Sequence, residues 1–146
     1  MAVDQYKAIS RRVVDEIFNQ GKTSLVDELF ASNFTDHTAE LRGYRDRGLA
    51  GFKQWAPELR RAFPDLHYTV DDVVGEGDKV VIRITGNGTF KNAFMNMTPT
   101  NKHATWSEIH IARLSGGKIT EHWGSVDRLG MLQQLGVIPV QQTMAA

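Results

Sequence analysis

Two histidines and two carboxylates fall at positions where they could do proton-transfer chemistry. From Thr105 to Leu114 the residues alternate with the period of an extended strand. Trp106, Glu108, His110, Ala112 and Leu114 therefore share one face, and Thr105, Ser107, Ile109, Ile111 and Arg113 share the other. In the run from 118 to 126, Thr120, His122, Gly124 and Val126 fall on one face. An imidazole moves protons near neutral pH, and a nearby carboxylate fixes its tautomer and raises its proton affinity. Asp36 and His37 stand together in an irregular stretch and offer a further carboxylate and imidazole. Each residue also has a plainer role open to it. His110 could be a hydrogen-bonded structural histidine, and His122 could lie on a subunit surface. Glu108 could pair across the sheet with Arg83 or Lys118. Asp36 could cap a helix or anchor a loop, with His37 packed beside it.

Other chemistries find little support. The chain has no cysteine, so disulfides, thiolate nucleophiles and thiolate metal sites are all excluded. Neither HExxH nor a Cys/His cluster is present, and no metal or organic cofactor is expected. No G-x-S-x-G elbow surrounds a serine, and Gly86-Asn87-Gly88 lacks the rest of a nucleotide-loop fingerprint. Lys and Arg number 17 and so do Asp and Glu, with no basic tract, which argues against nucleic acid as a partner. No apolar run approaches bilayer length, and Met-Ala-Val-Asp-Gln does not open like a signal peptide. A soluble, cytoplasmic protein with no membrane partner is expected.

The elements that must position these groups read as one α+β domain over residues 1–146. Val3, Tyr6, Ile9, Val13 and Ile17 recur at helical spacing, and Gly21 follows as the left-handed residue. Thr23 or Ser24 is expected to cap a short second helix bearing Leu25, Val26, Leu29 and Phe30. The stretch from Ala31 to Gly48 reads as irregular. Leu49 to Phe63 forms a third helix, with a kink or break expected at Pro57. Alternation begins at Leu66, turns at 75–78 and returns from Val80 to Thr85, after which Gly86 and Gly88 suggest a broken edge. Two more strands flank Ser115-Gly116-Gly117, and Asp127 is expected to cap a terminal helix. Helices followed by a meandering sheet give a cone: N-terminal helices packed in a curved, mostly antiparallel sheet, with an interior suited to a small apolar ligand.

Particular strings sharpen this. Ala62-Phe63-Pro64-Asp65-Leu66, the run from Gly75 to Val80, Pro99-Thr100, Gly117-Lys118-Ile119 with Glu121-His122-Trp123, and Asp127 with the run Gln133 to Gly136 occur in order. Together they resemble the SnoaL-like polyketide cyclases and ester cyclases of the nuclear transport factor 2-like superfamily, over nearly the whole chain. The resemblance implies an intramolecular aldol cyclisation of a small carbonyl compound without a cofactor. It implies a pocket histidine at His110 and a catalytic aspartate at the position held here by Gly124. It directs Glu108, His122 and Trp106 to the same cavity. Asp36, in a loop position that holds a polar pocket residue in that family, is expected at the cavity mouth as the replacement acid/base. Trp106, Phe52, Trp55, Met97 and His37 are the expected substrate contacts. A homo-oligomer, dimer or tetramer, associating through the outer sheet face is also expected. An isomerase or hydrolase on the same scaffold, or a non-catalytic binding module, are the competing readings.

Overall fold

The computed structural model describes residues 2–140. Helix α1 (Ala2–Arg12) runs on as a π-helical segment, Val13–Asn19, and Gly21 follows at φ +73°. A 3-10 turn, Thr23–Leu25, leads into α2 (Val26–Leu29), and neither Thr23 nor Ser24 caps it: the residue before the turn is Lys22, without a side-chain cap. Then comes a strand where an irregular stretch was expected, β1 (Phe30–Asp36). Its alternation is masked because the register slips between Phe30 and Thr35, leaving Phe30 and Phe34 both inward at a spacing that reads as helical. A 3-10 turn, Ala39–Arg42, follows.

Helix α3 (Leu49–Ala62) is continuous through Pro57. The expected break is absent, and burial of Phe52, Trp55, Ala56 and Leu59 against the sheet offsets the lost backbone bond. Four antiparallel strands follow, β2 (His67–Glu76), β3 (Lys79–Thr89), β4 (His103–Ser115) and β5 (Lys118–Val126). Asp127 caps α4 (Arg128–Gln134), accepting from the Gly130 N–H as expected. The sheet order is β1-β5-β4-β3-β2, with β1 parallel to β5 and the remaining pairs antiparallel.

The glycines of β3 do not break an edge. β3 continues through both of them between β2 and β4. A Cβ on Gly86 would lie 2.6 Å from the Tyr68 ring and 2.8 Å from that of Trp106. The missing side chain thus makes room for two aromatic rings to meet edge to face across the strand. One side of the sheet carries the core and packs on α1, α3 and α4, so the helices sit against its concave side as the cone requires. No helix among the described residues is long and apolar enough to cross a membrane.

Candidate active site

Three strands bring the polar groups together. On β4, alternation turns Trp106, Glu108 and His110 inward. On β5, His122 lies opposite Ala112, and Gly124 lies opposite His110. On β1, the parallel register sets Asp36 beside His122. The result is one hydrogen-bonded chain. Tyr68 Oη and Trp106 Nε1 donate to Glu108 Oε2 at 2.8 and 2.6 Å. Glu108 Oε1 meets His110 Nε2 at 2.7 Å, His110 Nδ1 meets His122 Nε2 at 2.7 Å, and His122 Nδ1 meets Asp36 Oδ1 at 2.9 Å. Asp36 Oδ2 pairs with Arg42, and the Thr38 N–H and hydroxyl both donate to Oδ1. The Thr38 hydroxyl also accepts from the Gly124 N–H at 3.0 Å, tying β1 to β5.

The chain's protons can be assigned from its partners. Two carboxylates only accept, so His110 Nε2–H donates to Glu108 and His122 Nδ1–H donates to Asp36. The contact between the rings then needs one further proton, because two bare nitrogens would oppose their lone pairs. Burial, with the neighbouring His110 and Arg42 charges, pushes the proton affinity of His122 well below its ordinary value of 6.5. His122 is therefore the ring that accepts across the contact. Burial works to raise the Glu108 pKa, but the bonds from His110, Trp106 and Tyr68 outweigh it and hold the carboxyl below its ordinary range. Burial and the Glu108 charge push the Tyr68 phenol well above 10, so it stays a donor.

These shifts fix a pH dependence of stability. Between the depressed folded pKa of His122 and 6.5, the unfolded chain binds a proton that the folded chain refuses, so stability falls as pH drops. Glu108 acts in the same direction at lower pH, stabilising above its unfolded value of 4.5 and ceasing to as pH falls through its folded value. The urea midpoint is therefore expected to fall continuously below pH ~6.5. In His122→Gln the decline should begin only in the carboxylate range. A midpoint level from pH 7 to 5 in the wild type would contradict a buried, neutral His122.

The chain ends on a cavity of about 120 Å³ with Phe52, Trp55, Ile84 and Met131 among its apolar walls. His110 and His122 line it, their side chains 22% and 21% exposed. Of the expected substrate contacts, Phe52 and Trp55 are on its wall. Trp106 lies behind Glu108 as its donor, outside the lining. Met97 packs on the core beyond the lining. His37 faces the other side of the sheet, stacked on Trp123 at 4.8 Å with its Nε2 2.9 Å from Glu121. Asp36 is not at the cavity mouth but fully buried behind His122, because β1 carries it into the sheet. Glu108 pairs with neither Arg83 nor Lys118: Arg83 binds Asp72 at 2.7 Å, and Lys118 donates to the Asp27 carbonyl. Sequence reasoning missed Arg42, Thr38, Tyr68 and Arg128. Arg42 stood among three similar arginines, whereas Tyr68 carried a signal, being inward on the first alternating run.

Comparison with known proteins gives a concordant result. A model of the SnoaL-like polyketide cyclases matches residues 8–135. The chain belongs to that family. Aklanonic acid methyl ester cyclase DnrD of Streptomyces peucetius is 30% identical over 132 residues, spanning 86% of this chain and 87% of the relative. Nogalonic acid methyl ester cyclase of Streptomyces nogalater is 27% identical over 120 residues, 82% of this chain and 89% of its own. Among solved structures, IdmH of Streptomyces antibioticus superposes with a TM-score of 0.77 at 30% identity, covering 90% of this chain and 99% of its own. TsrD of Streptomyces laurentii shares the fold, with a TM-score of 0.83 at 23% identity over 92% of this chain and 97% of its own. Against the SnoaL-like pattern, the position expected to hold the acid/base aspartate is Gly124. A Cβ there would lie 2.7 Å from His110 Nδ1, so the glycine is what lets the two histidines meet.

Proposed function

We propose that the protein is a polyketide-cyclase-type enzyme that closes a ring in a small apolar carbonyl compound by an intramolecular aldol step, using its own acid–base groups. The observation that carries this reading is the 2.7 Å contact between His110 Nδ1 and His122 Nε2, a donor and an acceptor satisfying each other on a cavity wall. A substrate that enters between them engages both. His122 Nε2 takes the α-proton while His110 Nδ1–H supports the enolate oxygen. The enolate carbon then bonds to the second carbonyl carbon of the same molecule. The alkoxide so formed takes the proton held on His122, and no net proton is gained or lost. Asp36 supports the imidazolium that forms on His122, and Glu108 keeps the donor proton on His110. The two relatives named as methyl ester cyclases support a polyketide substrate class.

His110→Ala tests this against a binding module. Turnover of a β-polycarbonyl substrate should fall by about 10²–10⁴-fold, with ligand affinity nearly kept. Affinity lost in step with turnover, or turnover unchanged, would remove His110 from the chemistry. We further infer a homo-oligomer joined through the outer sheet face, where Ile109 and Val74 are 48% and 62% exposed. A monomer in sedimentation velocity would discard this.

A further inference from the structure

The cavity is apolar over most of its wall, yet two arginines line it. Arg42 is one, its side chain 8% exposed, with Nη2 on Asp36 and its guanidinium 5.5 Å from the centre of the Phe52 ring. Its Nε–H is buried and has no hydrogen-bond partner among the described residues. Burial lowers its pKa to about 10. Arg128 is the other, held with one Nη on the Leu41 carbonyl and the other on Met95 Sδ, each at 3.0 Å, and lying 5.3 Å over the Phe94 ring. A guanidinium has five N–H donors, so most of those of Arg128 remain available.

The two arginines are not matched alike. Asp36 offsets Arg42. Glu108 is already bonded to His110, Trp106 and Tyr68 and acts on Arg128 only through space. Arg128 has no carboxylate partner among the described residues, and half-burial makes its charge costly. Arg42, Trp55 and Phe94 line both the cavity and an adjoining outer hollow of about 410 Å³, and Met95, which holds Arg128, lines that hollow.

We propose that Arg128 and the free Nε–H of Arg42 form an anion-binding edge, and that the substrate is an apolar compound presenting an acidic oxygen to it, a carboxylate or the enolate of a 1,3-dicarbonyl. Guanidinium groups bind such oxygens through charge-assisted, often paired hydrogen bonds. An anion there gives Arg128 a direct charged partner and orients the rest of the molecule toward the two histidines. The inference deepens the cyclase reading and rests on it for the cavity being the substrate site.

Isothermal titration with benzoate and with benzamide, its neutral isostere, tests the edge without requiring turnover. Benzoate should bind wild type about tenfold or more tighter than benzamide. Arg128→Gln should remove about tenfold of benzoate affinity and leave benzamide within about twofold, whereas Arg128→Lys should keep most of the preference. Equal affinity for the two probes, binding of neither, or a preference unchanged in Arg128→Gln would each overturn the proposal. Should the glutamine variant fail to fold, the wild-type ratio decides alone. Loss of the preference alongside wild-type turnover would leave the cyclase reading standing. A clear preference without turnover on any β-polycarbonyl compound would keep the edge and remove the cyclase reading.

Discussion

Asp36→Asn is expected to destabilise the fold by about 3–5 kcal/mol, the cost of breaking a buried ion pair from one side. The amide is nearly isosteric, so neither packing nor the Thr38 contacts need be lost. What disappears is the negative charge. Asp36 is 0% exposed and the Arg42 side chain 8%, so water does not reach in to replace it. The guanidinium is left uncompensated in an apolar wall. The chemistry should suffer separately, because a proton arriving on His122 would no longer be supported from behind. A loss of about 10²–10⁴-fold in turnover follows by analogy with the buried aspartate of a catalytic triad. Urea unfolding and steady-state turnover read the two effects apart. In Asp36→Asn with Arg42→Met, stability should largely return while turnover does not. An asparagine variant within about 1 kcal/mol of wild type would mean that the ion pair contributes little net stability.

Gly124→Ala should strike the contact between the two histidines directly. The added Cβ would stand 2.7 Å from His110 Nδ1, 3.0 Å from His110 Cε1 and 3.1 Å from His122 Cε1. Neither ring is free to retreat, since His110 is fixed by Glu108 and His122 by Asp36. The bond between the rings must break. Turnover should fall by about 10²-fold or more, with an overpacking cost of about 1–3 kcal/mol. A downfield imidazole N–H proton resonance, expected in wild type at low temperature, should vanish. The same crowding gives an unintuitive result for Gly124→Asp. Placing a carboxylate where the family resemblance implies one should lower turnover. If Gly124→Asp instead raised turnover, the paired histidines would not be the working acid and base.

How much of this was legible in the sequence depended on whether neighbours in sequence or neighbours in space decided it. Strand alternation set Glu108 and His110 on one face and put His122 and Gly124 together, because a period of two is a property of the strand itself. Asp127 announced its cap in the same local way. β1 was lost because its register slip removes the alternation that would have revealed it. Asp36 and His37 then seemed a pair, although adjacent residues leaving a strand point to opposite faces. Arg42 resembles Arg45 and Arg47 until the turn Ala39–Arg42 folds it against Asp36. The break expected at Gly86 rested on propensity, and two aromatic rings from flanking strands overrode it.

The parallel seam between β1 and β5 has a consequence in time. β2 to β5 follow one another as antiparallel neighbours, whose loops close over short stretches of chain. Asp36 and His122, by contrast, are 86 residues apart, and joining them carries a greater loop-closure entropy. Non-local pairing of this kind slows folding relative to local pairing. A refolding chain can thus build its meander, bury its rings and regain most of its strand signal while the two histidines still lack their aspartate. Activity would be the last property to return, and its lag behind circular dichroism would time the arrival of the first strand.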